Sequence, residues 1–276
     1  MKNNTVSSFP ATDNLSIVSA IVALGLLVSR FLNIPGRAIN LVVFGSPFAI
    51  MIDGQVIMIF LVVGLTFVGA DMVMRNHPVF NDSHAIGPYY HCVGPVSIIL
   101  LTSILTNRVQ NSSIWLISVL VSIILLAFVI YMEYRSIVQS KSQYINLWLI
   151  AVYYLSLFGW FVWIENIQVR SILSSSALCV MTSLLSARIL FLLGVSPSRS
   201  MKNGFVLGIL VGQVVWVGSY LFLSPIVIST FLLLMIHFAI GLITNNDKTT
   251  KITSVVMEYG IVAMILLLIV VFVDML

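Results

Sequence analysis

Ionisable side chains are scarce in this chain, so the few that fall inside its apolar runs are where chemistry could occur. Arg30, Asp71, Arg188, His237 and Glu258 lie within such runs, and Gln213 lies a little deeper in another. Counted at about 1.5 Å per residue from the predicted inner ends, the five titratable groups sit roughly 5 to 10 Å deep. A charge at that level costs about 2.5 to 3.5 kcal/mol on insertion scales, so the set is expected to turn inward and pair. The expected pairs are Arg30 with Asp71 and Arg188 with Glu258. Gln213 and His237 lie about equally far before and after Ser224-Pro225, which places them at one depth, bonded to each other or to a ligand. Such a layer is either a polar cavity open to the inner leaflet or a set of structural ion pairs whose arginines reach the headgroups.

A second polar concentration is the connector Asp71 to Cys92, with His77, Asp82, His84 and His91. Imidazole and carboxylate together could hold Zn²⁺ or iron. The spacing matches no compact metal motif, and Pro78 with Gly87-Pro88 breaks the single helix that would align residues 77, 84 and 91. No metal and no cofactor is therefore predicted. Nucleophilic catalysis also lacks its motifs: there is no Gly-x-Ser-x-Gly, His-Glu-x-x-His, phosphate loop or Cys-x-x-Cys. The expectation leans away from an enzyme and assigns no catalytic residue.

The elements that would position these residues follow from composition. With 60% hydrophobic and 8% charged residues, the chain reads as an integral membrane protein. About ten spans are expected, within a range of eight to ten, at 15–34, 38–52, 55–74, 88–107, 113–132, 144–164, 171–194, 204–222, 226–243 and 253–275. The segment 38–52 is short, contains Gly45 and Pro47, and reads as a broken or re-entrant helix. The fold class is thus an all-α polytopic helix bundle, a single membrane domain over 1–276 with no soluble domain. The run at 15–34 is too long for a signal-peptide core and reads as an uncleaved span.

The basic residues serve as topology signals. A formal net charge of +4 might suggest nucleic acid, but the basic residues are scattered singly, so no nucleic-acid partner is expected. In the ten-span reading, Arg30, Arg37, Arg75, Arg135, Lys141, Arg188, Arg199, Lys202, Lys248 and Lys251 collect on one side, against Lys2, Arg108 and Arg170 on the other. That bias places both termini outside an inner, cytoplasmic membrane. Merging 38–52 with the next span gives nine basic residues against four and puts the N-terminus inside.

Small residues predict one packing contact. Gly204, Gly208 and Gly212 recur every fourth residue, as do Ser175, Cys179 and Ser183 in the preceding span. Two such stripes are what close backbone approach needs where lipid removes the hydrophobic drive between helices.

The arginine-proline span ends at Arg30 to Pro35 and Arg188 to Pro197, together with Asn76-His77-Pro78 and Glu258-Tyr259-Gly260, resemble an uncharacterised family of bacterial multi-pass membrane proteins. That resemblance implies membrane residence and nothing about mechanism. Three classes of function stand, in this order: a transport-type protein for a small or amphipathic solute, a non-catalytic membrane subunit or scaffold, and an intramembrane lipid-modifying enzyme. The partners expected are membrane lipids and, in the scaffold reading, other membrane subunits.

Overall fold

A run of about 20 apolar residues satisfies its backbone polar groups in lipid only by forming a helix, and the long runs of this chain do so. The computed structural model describes residues 12–32, 34–43, 46–75, 89–138, 142–167, 171–220, 224–245 and 261. Among these, the elements are α1 (Thr12–Phe31), β1 (Arg37–Val43), β2 (Ser46–Ile52), α2 (Gly54–Arg75), α3 (Tyr89–Asn107) and α4 (Ser112–Val138). They are followed by α5 (Gln143–Ile167), α6 (Ser171–Leu192), α7 (Pro197–Gly218) and α8 (Pro225–Asn245). All eight helices are long and apolar enough to cross a membrane. Their surfaces fit that reading: in α2, Phe60 and Val68 are exposed while Thr66 and Gly69 are buried, the reverse of a helix facing water.

The expected span at 38–52 is not a helix. It is an antiparallel β-hairpin with Arg37 opposite Ile52 and Val43 opposite Ser46. Fifteen residues of helix would reach only about 22 Å, short of the hydrocarbon layer. β-Branched and aromatic residues favour strands, and Pro47 would break a helix yet is tolerated in a strand that is an edge. The ten-span count therefore falls to eight helices among the described residues. The expected span at 253–275 lies outside them, apart from Ile261.

Local sequence sets the helix ends. The Asp53 carboxylate caps α2, its Oδ1 accepting from the Val56 N–H at 2.8 Å, and Asn111 Oδ1 accepts from Ser113 at the start of α4 at 2.9 Å. Proline at the first helical position opens α7 and α8. Gly194, at φ 90°, ends α6: its N–H donates to Phe191 O, and the Val195 N–H reaches back to Leu190 O at 3.1 Å. This is the paired bonding of a left-handed C-terminal cap, a backbone conformation that favours glycine.

The chain divides into two compact units, Met1–Ile145 and Asn146–Leu276. In the first, α1 packs on α2 and α4, and α3 packs on α2 and α4, around a core that includes Val22, Val62, Ala70, Met74, Cys92, Ile99, Leu126 and Ile130. The α1–α2 register is antiparallel. A Cβ on Gly25 would meet Val62, one on Gly69 would meet Val18, and one on Gly54 would lie 2.8 Å from Leu32 O. In the second unit α6 and α7 share the closest contact, and α8 packs on both. A Cβ on Gly204 would meet Ala187 and Ser183, one on Gly208 would meet Ser183 and the Cys179 carbonyl, and one on Gly212 would meet Cys179 and the Ser175 carbonyl.

Candidate functional site

The most enclosed ionisable pair among the described residues is in the first unit. His91, in the first turn of α3, places Nδ1 2.8 Å from Oε2 of Glu133 near the end of α4. Glu133 is 0% exposed and His91 6%, so two titratable groups are held inside a bundle of membrane-length helices. Cys92, Ile130 and Tyr134, their neighbours along the chain, belong to the unit's buried core. Such a pair must offset a desolvation penalty of several kcal/mol per ion, which the short contact does only in part. Pro95 adds a backbone feature. It has no N–H to donate, so the intrahelical bond that would close on the His91 carbonyl is not made.

Asp71 and Arg75 lie at the same end of the unit, in the last two turns of α2, and pair with each other at 2.7 Å. This replaces the expected pair of Arg30 with Asp71. In the register that sets Gly25 against Val62 and Val18 against Gly69, Arg30 and Asp71 sit about 20 Å apart along the α1–α2 axis. The physical reason is parity: because 38–52 turns back as a hairpin rather than crossing, α2 runs opposite to the direction that the ten-span reading gave it.

Arg30 instead works at the opposite end of the unit. Its Nη1 donates to Val109 O and its Nη2 to Gln110 O, both at 3.0 Å, and the guanidinium lies 5.3 Å from the Trp115 ring centroid. It thereby fastens the end of α1 to the connector between α3 and α4, two and three residues past Asn107.

The other expected members of a polar layer are in the second unit. Arg188 is 1% exposed, with its guanidinium 5.2 Å from the Phe191 ring centroid. Glu258, its expected partner, lies outside the described residues. His237 is exposed and meets Tyr154, its Nδ1 3.3 Å from the phenol oxygen and the rings edge to face at 5.6 Å. Gln213 is exposed on α7, five residues before its end, and His237 lies twelve residues after the start of α8. The turn that the expected symmetry placed at Ser224-Pro225 begins earlier, after Gly218.

Of the metal candidates, His77, Asp82 and His84 lie outside the described residues, and His91 is paired with Glu133. Among the described residues no three His, Cys, Asp or Glu side chains group as metal ligands. Sequence reasoning missed Glu133 because it ended that span at residue 132. The signal was present: nothing in Tyr131-Met132-Glu133-Tyr134-Arg135 breaks a helix, which continues to Val138.

With the geometry in place, comparison adds one finding. A family described as a protein of unknown function (DUF5656) matches residues 34–273. No curated protein and no solved structure matches the chain.

Proposed function

We propose, for a chain that belongs to this DUF5656 family and whose described helices are of membrane length, that it is a transport-type membrane protein moving a small solute, with His91 and Glu133 as its protonatable centre. One observation carries the reading: a histidine and a carboxylate 2.8 Å apart, both buried, inside a helical unit of membrane-length segments. Ionisable groups in such a place are costly and by default mark ion, proton or substrate paths. Imidazole changes charge in the physiological range, so one proton gained or lost converts the site between an ion pair and a net-charged pair.

Threading belongs to the same proposal. With the hairpin not crossing, Arg30, Arg37, Arg108 and Arg170 fall on one face of the membrane, and the other nine of the thirteen basic residues on the opposite face. The positive-inside rule makes that second face cytoplasmic, with the N-terminus and the His91–Glu133 end of the first unit toward it. This replaces the expectation that both termini lie outside, which depended on a tenth span.

The same burial favours a second reading, a membrane-embedded subunit in which the pair only locks α3 to α4. The lipid-modifying reading depends on the 71–92 connector, of which residues 76–88 lie outside the described residues. Reconstitution decides between the first two. Liposomes containing the protein are challenged with a pool of small solutes under an imposed pH gradient, and uptake is read by mass spectrometry. Gradient-driven uptake is expected in the parent and lost in a folded Glu133→Gln variant. Uptake that ignores both the gradient and Glu133 would contradict the reading.

A further inference from the structure

α7 turns one face to α6 and leaves the opposite one open. Gly204, Gly208 and Val211 are buried, whereas Lys202, Val206, Ile209, Gln213 and Trp216 are exposed. At 3.6 residues per turn the exposed set forms a single stripe, on the side of the helix away from the buried glycines. Its spacing alternates four residues and three, the average of 3.5 that keeps a seam facing a parallel partner helix.

Gln213 is the member of this stripe that lipid does not suit. It lies eleven residues, about 16 Å, beyond Lys202 and five residues, about 8 Å, before the helix end, so it falls inside the hydrocarbon layer counted from either end. Its carboxamide makes no hydrogen bond to any described residue. By contrast Ser176 and His237, also exposed in this unit, are bonded within the chain: Ser176 Oγ donates to Leu173 O at 3.0 Å, and His237 Nδ1 lies 3.3 Å from the Tyr154 hydroxyl. Acyl chains offer neither donor nor acceptor, so the amide calls for a protein partner.

The amide also limits which protein that is. A carboxamide carries both a donor and an acceptor, so two of them can each donate to the other. Copies of one chain insert the same way round, and a two-fold axis along the membrane normal brings each residue to its own counterpart at its own depth. Glutamine is then its own complement, and Val206, Ile209 and Trp216 meet apolar residues like themselves. Lys202 lies at the end of the stripe, where its flexible stem lets the ammonium turn to water and away from its counterpart.

We propose that the outer face of α7 is a self-association surface, on which a second copy of this chain packs α7 against α7 in parallel with the two Gln213 carboxamides bonded across the axis. The proposal rests on the membrane reading and is independent of any transport activity.

The test uses the full chain in phosphatidylcholine vesicles, with Cys92 and Cys179 replaced by alanine. Ile209→Cys and Trp216→Cys are expected to form an intermolecular disulfide on mild oxidation, severalfold more than Phe205→Cys and Leu210→Cys, exposed residues that flank the stripe on either side. Association of the cysteine-free chain is read as energy transfer between copies labelled at the amino terminus while added lipid dilutes the protein. It is expected to weaken about tenfold in Gln213→Leu, which keeps the bulk and removes the interhelical hydrogen bonds. Gln213→Ala replaces Gln213→Leu if that variant lacks the parent's helix content. Equal oxidation at stripe and flanking positions would overturn the proposal, as would association in Gln213→Leu as tight as in the parent. A monomer at every dilution would overturn it too, and would mean that lipid or another segment of the chain covers the stripe.

Discussion

The α6–α7 seam offers a perturbation whose size can be worked from atomic positions. A Cβ placed on Gly204 would stand 2.7 Å from the Ser183 carbonyl oxygen, 2.7 Å from the Ala187 Cβ and 2.8 Å from the Ala187 nitrogen. Two of these are backbone atoms that cannot rotate away, so Gly204→Ala requires α7 to move outward by about 0.7 Å to reach ordinary contact near 3.5 Å. A gap of that size forfeits a quarter to a half of each well of about 0.1 to 0.2 kcal/mol, which over a few tens of atom pairs amounts to about 1 to 2 kcal/mol. That agrees with the ~1 to 3 kcal/mol typical of overpacking. Alanine also gains up to about 1 kcal/mol of helix propensity over glycine, which would mask part of the loss. Gly64 in α2 supplies the control, since a Cβ there meets nothing within 4 Å and carries the same propensity gain. The readout is the difference between Gly204→Ala and Gly64→Ala in unfolding by sodium dodecyl sulfate in mixed micelles, followed by circular dichroism. Gly204→Ala is expected to be the less stable by about 1 to 3 kcal/mol. Equal stability of the two variants would refute the close approach of α6 and α7.

The buried pair and the threading each give a further expectation. In a double-mutant cycle of His91→Ala and Glu133→Ala, unfolding should yield a coupling energy of about 0.5 to 3 kcal/mol, and additive losses would mean that the 2.8 Å contact does not stabilise the unit. On intact cells, a membrane-impermeant maleimide should label Ala38→Cys and Gln110→Cys from the same side, because Arg30 binds the Val109 and Gln110 carbonyls at the end of the unit that roots the hairpin. Labelling from opposite sides would restore 38–52 as a crossing.

Membrane-length helices were legible because the property is local: 20 apolar residues are a helix in lipid whatever packs against them. The starts of α4 at Asn111-Ser112 and of α7 at Ser196-Pro197 are equally local, since caps are short-range chemistry. The apolar run 38–52 was not legible, because a run of that length fits a short helix or two strands equally by hydrophobicity. That single ambiguity reversed α2 and carried Asp71 to the far end of the unit from Arg30. Glu133 escaped because one residue decided whether it counted as connector or helix, and the Arg30 partners escaped because backbone carbonyls leave no mark on a sequence.

From its residues alone the chain determined which runs are long and apolar enough to cross a membrane and which helix faces are small enough for close packing, both of which depend on neighbours a few positions away. Only the tertiary structure decided which ionisable groups meet. Asp71 bonds one turn along its own helix, Arg30 binds the connector between α3 and α4, and His91 finds Glu133 42 residues later. Pairing across helices is set by the direction and register of each, and these depend on a hairpin whose strand character emerges only when its two halves meet in space.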